Sequence, residues 1–106
     1  MIRAVVHGTT LQVQGHANSA PYGQDLVCAA VSALVYALAQ RLTELDAQGA
    51  LEQPPMIRLS SGDAQISALA KRGHEAEVFG DFHLIKSGLT VLQTHYPDRV
   101  QVGNKI

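Results

Sequence analysis

The chain has 106 residues, 46% of them hydrophobic and 16% charged, with a formal net charge of -1. That length and apolar share suit one domain over residues 1–106 and exclude a disordered chain. No basic run is present, so a nucleic acid is a poor direct partner.

A single cysteine, Cys28, excludes an internal disulfide framework and fits a reducing cytoplasm. The apolar part of the N-terminus is too short for a signal peptide. The longest apolar run, Leu26 to Ala39, is broken by Ser32 and is read as too short to span a bilayer. The expectation is a cytoplasmic protein without a membrane partner.

Ile2 to His7 is short and β-branched, Gly8-Thr9-Thr10 reads as a turn, and Leu11-Gln12-Val13-Gln14 alternates apolar and polar. Together they predict a β-hairpin with one buried face. His16 follows where the second strand ends. Ala17 to Gln24 is a loop of small and turn-forming residues, in which Gly23 could act as a hinge.

Asp25 is a good N-cap, and Leu26 to about Ala47 predicts the first helix, stopped by Gly49. Its first half is apolar almost all round, so more than one partner surface must cover it. In so small a domain this favours a homodimer. Pro54-Pro55 ends a connector. Met56 to Leu59 and Ala64 to Ala70 read as antiparallel strands around a Ser60-Ser61-Gly62-Asp63 turn.

Glu75 to Phe79 reads as either a further short strand or irregular chain. Gly80-Asp81 opens a second helix with Asp81 as its cap, and Phe82, Ile85, Leu89, Leu92 and Tyr96 recur at helical spacing. Pro97 stops it, and Arg99 to Val102 is a last strand. The order β-β-α-β-β-(β)-α-β defines an α+β class: a mostly antiparallel sheet packed with two helices.

The stretch from Gly15 to Ser32 carries the chemistry. With Asp25 as cap, Cys28 is the third helical residue, where unpaired backbone N–H groups and the helix dipole favour negative charge and hence a thiolate. A histidine within reach, His16, would complete a nucleophile–base pair. The bland alternative for a lone helical cysteine is a small buried hydrophobe.

Asp25 has two candidate jobs, helix cap or orienting acid for His16, and the cap is favoured. Ser32, one turn on from Cys28, is a supporting residue that could bond the sulfur or the Cys28 carbonyl. Gly15 either lets the chain pass close to substrate or adopts a conformation closed to other residues. The Cys28 N–H is a candidate oxyanion donor. The other histidines, His7, His74, His83 and His95, show no metal-ligand spacing, so neither a metal nor a cofactor is expected.

Gly15-His16-Ala17, a short loop, and then Gly23-x-Asp25-Leu26-Val27-Cys28-Ala29-Ala30-Val31-Ser32 resembles the signature of the bacterial ribosomal-processing cysteine proteases, the Prp family. The resemblance extends to the Tyr-Pro and short-strand tail. It implies a cysteine endopeptidase with Cys28 as nucleophile and His16 as general base and acid. The implied substrate is the precursor of large-subunit ribosomal protein L-twenty-seven, which loses an N-terminal extension with aromatic residues before the cut.

An apolar groove beside Cys28, lined by Tyr22 and the loop with Gly23, is expected to take that segment. Two rivals keep the fold without the protease: a ribosome-associated binding module that is not catalytic, and a thiol redox sensor. Neither explains why His16 and Asp25 accompany the cysteine.

Overall fold

The computed structural model describes residues 1–18, 20 and 25–103. The elements are β1 (Ile2–His7), β2 (Thr10–Gln14), α1 (Leu26–Ala47), β3 (Met56–Ser60), β4 (Asp63–Ser67), α2 (Glu75–His95) and β5 (Val100–Gly103). They form one five-stranded sheet in the order β3-β4-β2-β1-β5. Among the described residues only β1 and β5 pair parallel, and the other three strand pairings are antiparallel. The α+β class read from the sequence is the one observed.

Alternation fixes which side of the sheet is covered. Ile2, Ala4 and Val6 of β1, Leu11 and Val13 of β2 and Ile66 of β4 share one face and join a single core with both helices. The β1–β2 hairpin closes on a two-residue turn, with His7 opposite Thr10 and Gly8 at φ +58°. β4 pairs with β2 and carries the β3–β4 turn to the end of β2, so that the Gly15 N–H donates to the Gly62 carbonyl at 2.9 Å.

The first helix spans the predicted residues. Val27, Val31, Val35, Leu38, Leu42 and Leu45 recur at helical spacing and are buried. Over its full 22 residues α1 is long and apolar enough to cross a membrane, although the Leu26–Ala39 run alone was expected to be too short. Here its buried stripe belongs to the core shared with the sheet. It ends at Ala47, with Gln48 as its C-cap and Gly49 following at φ +77°.

The second helix departs from the sequence reading. Glu75 to Phe79 is neither strand nor irregular: α2 begins at Glu75. His74 stands at its N-cap without a side-chain cap bond, and the Glu75 carboxylate accepts from the His74 N–H at 3.1 Å. Glu75 and Glu77 put negative charge in the first turn, which the helix dipole favours. Asp81 is not a cap. It lies inside α2 and pairs with Arg41 of α1 at 3.2 Å. The helices approach closely at Gly88, where a Cβ would stand 2.9 Å from Leu34 Cδ2. β4 is shorter than predicted, ending at Ser67, and β5 starts at Val100.

Candidate active site

Asp25 ends the loop in an extended conformation, and its Oδ1 accepts from the N–H groups of Val27 and Cys28, both at 3.0 Å. This satisfies two of the four orphan donors of the helix start and fixes the first turn. Cys28 is thereby held as the third residue of α1, half-buried, on the side facing the end of β2. The cap is thus the job of Asp25 that the geometry carries. It also occupies the Cys28 N–H, which the sequence reading offered as an oxyanion donor. The donor found at the sulfur is another: the Ala17 N–H, 3.4 Å from Cys28 Sγ.

His16 stands where β2 gives way to the loop, and its ring is exposed. The imidazole lies against the β3–β4 turn: a Cβ on Gly62 would be 2.6 Å from His16 Nε2. Gly62 also has φ +75°, a conformation that favours glycine, and an added methyl would push the imidazole aside. Gly15 has φ +97°, and a side chain there would run into the Met1 carbonyl. Of the two roles read for Gly15, the structure supports a conformation closed to other residues.

Gly15, His16, Asp25, Cys28 and Ser32 all line one cleft of about 730 Å³ between the start of α1 and the β3–β4 turn. His16 and Cys28 make no hydrogen bond to each other among the described residues; such contacts often tighten only around a bound substrate. Ser32 makes neither of its expected bonds among the described residues, so it contributes a small polar wall one turn from the sulfur. Tyr22 and Gly23, expected at the substrate, lie outside the described residues.

Several cleft residues escaped the sequence reading. Tyr36 and Leu59 add apolar surface, and Gly62 makes room for the imidazole. Arg99 reaches the loop after His16. Gly62 is visible in sequence only as a turn glycine. No local pattern ties it, or Arg99, to residues at the far end of the chain.

A helix-start cysteine with a backbone donor on its sulfur, facing a cleft that also holds a histidine, is the arrangement that a small α+β cysteine protease uses. The model of the cysteine protease Prp family matches residues 1–101, and the chain belongs to that family.

Solved structures share the fold. The chain is similar to the essential ribosomal processing protease Prp from S. aureus in complex with a covalently linked product peptide. The TM-score is 0.74 and the identity 20%, over 98% of this chain and 97% of that one. The same S. aureus protease with a substrate peptide gives TM-score 0.68 and 19% identity, again over 98% and 97%. SMU.848 from Streptococcus mutans gives TM-score 0.68 and 26% identity, over 96% of this chain and 91% of that one. No curated protein gives a significant match.

Proposed function

We propose that this protease trims a ribosomal-protein precursor, removing the N-terminal extension of large-subunit ribosomal protein L-twenty-seven, with Cys28 as nucleophile and His16 as general base. The observation that carries the reading is the shared cleft, with the sulfur in one wall and the imidazole in the other. The S. aureus structures with bound peptides, and the motif from Gly15 to Ser32, support the substrate class.

The steps follow from these groups. His16 takes the proton from the Cys28 thiol as Sγ attacks the carbonyl carbon of the scissile peptide. The carbonyl oxygen gains negative charge as Sγ gives up its own, so the Ala17 N–H that donates to the sulfur before attack is released to donate to that oxygen. The C–N bond then breaks, and His16 returns its proton to the leaving amine. The acyl group remains on Sγ as a thioester. Water, deprotonated by His16, hydrolyses the thioester and regenerates the thiol.

Val13, Val31, Val35, Tyr36 and Leu59 line the cleft and give an aromatic residue before the cut an apolar seat. We read the protein as a cytoplasmic homodimer. Leu26 on α1 is 79% exposed, and Leu84 and Val91 on α2 are 69% and 55% exposed, which leaves apolar helix surface for a second copy. Light scattering of the purified protein tests this: a monomer mass at micromolar concentration overturns it.

The central test is incubation with the organism's own precursor, wild type against Cys28→Ser, read by product mass. Wild type releases the extension and Cys28→Ser leaves the precursor intact. Intact precursor with the wild type, or trimming by Cys28→Ser, overturns the reading.

A further inference from the structure

We propose that Arg99 is a positioning residue for the reaction: its guanidinium gathers the backbone after His16 and so aims the Ala17 N–H at Cys28 Sγ. The inference rests on Cys28 being the nucleophile. Arg99 Nη1 donates to the Ala17 carbonyl and to the Asn18 carbonyl, each at 3.0 Å. Successive carbonyls of an extended chain point to opposite sides. Here they converge on one nitrogen, and the chain turns between them at Asn18, whose φ is +55°. Asn18 is the one non-glycine residue with positive φ among the described residues. That conformation persists where surrounding contacts over-determine it.

The arrangement is anchored at both ends. Arg99 is fixed through its own backbone: its carbonyl accepts from the Ile2 N–H at 2.8 Å, and its N–H donates to the Tyr96 carbonyl at 2.9 Å. Ala17 is fully buried, and its N–H ends on the sulfur at 3.4 Å. A path of two hydrogen bonds thus runs from Arg99, just before β5, through the backbone of Ala17 to the nucleophile. Arg99 itself does not line the cleft and acts only through the Ala17 N–H. Its effect therefore falls on the reactivity of the sulfur and on the chemical step rather than on binding.

Arg99→Ala and Arg99→Lys are compared with wild type and Cys28→Ser on the ribosomal-protein precursor. Each is also assayed for the rate of thiol alkylation by iodoacetamide and for its melting point. A misplaced donor weakens the step it serves, so Arg99→Ala should lower kcat about ten-fold with KM within about two-fold. Alkylation of Cys28 should slow about three-fold, since the thiolate is the reacting species.

Arg99→Lys, which keeps a charged donor but not the fork, should recover part of both. If Arg99→Ala melts below the assay temperature, Arg99→Gln and Arg99→Lys are ranked instead, with Lys expected to be the faster. The proposal is overturned if kcat and alkylation both stay within about two-fold of wild type in the folded variants, or if KM alone rises. Trimming by Cys28→Ser would instead remove the nucleophile reading, and the alkylation rates would still judge the Arg99 contact.

Discussion

The cleft has one wall built from neighbours in sequence and another built from residues far apart. Cys28 is placed by Asp25, three positions earlier, through bonds that any capped helix start makes. His16 is seated against Gly62 on the β3–β4 turn, and the Ala17 carbonyl just after it is held by Arg99, 82 residues further on. A thiol fixed locally survives small shifts of the fold, because its helix carries it. An imidazole fixed by distant contacts has the geometry of the whole sheet as its support. Damage to the second wall should therefore cost more activity per unit of stability lost than damage to the first.

Gly62→Ala is the sharpest way to break the long-range wall. The new methyl meets Nε2 of His16, and φ +75° adds strain of about 1 kcal/mol for a non-glycine residue. We expect kcat/KM to fall at least about ten-fold as the imidazole is displaced. Gly73→Ala is the control. Its φ is +94°, but nothing lies within 4 Å of the added methyl. It should cost similar stability and leave cleavage near wild type. Equal activity of the two variants, assayed on the same precursor, would remove the contact with Gly62 as the cause.

Asp25→Ala tests the local wall. Losing the cap should cost about 1–2 kcal/mol in denaturant unfolding, and Asp25→Ser should restore most of it. If Asp25 acts as a cap, Ser restores activity along with stability, because a hydroxyl accepts the same N–H bonds. Restored stability with activity still lost would assign the carboxylate charge a direct role at His16.

The same contrast between local and distant contacts explains what could be read from the sequence. The hairpin, α1 and its cap, and the strands on either side of the Ser60–Asp63 turn all declare themselves within a few residues, and so did Cys28 at the helix start. The cleft's remaining parts do not. Tyr36 faces it as one exposed aromatic among the apolar residues of α1, and Leu59 as one side chain of a short strand. Their joint role depends on how the helix lies over the sheet. The Ala17 N–H is invisible in principle, since every residue except proline has one.

The start of α2 shows the failure from the other side. Asp81 follows a glycine and precedes a helical apolar pattern, which is the usual signature of a cap. The helix instead begins at Glu75, where acidic side chains and a Glu75 bond to the His74 N–H replace a capping residue. Asp81 is already in its second turn, paired with Arg41 across the helix interface. The two assignments predict different losses.

A cap removed by Asp81→Ala would cost about 1 kcal/mol or more, with fraying of residues 82–85 visible as faster amide exchange. A partly exposed ion pair is worth about 0.5 kcal/mol, is screened by salt, and leaves exchange in that turn unchanged. Asp81→Ala should show the smaller loss, and Arg41→Ala should abolish any further effect of Asp81→Ala in the double variant. Additive losses in that cycle would break the pairing and return Asp81 to a role within its own helix.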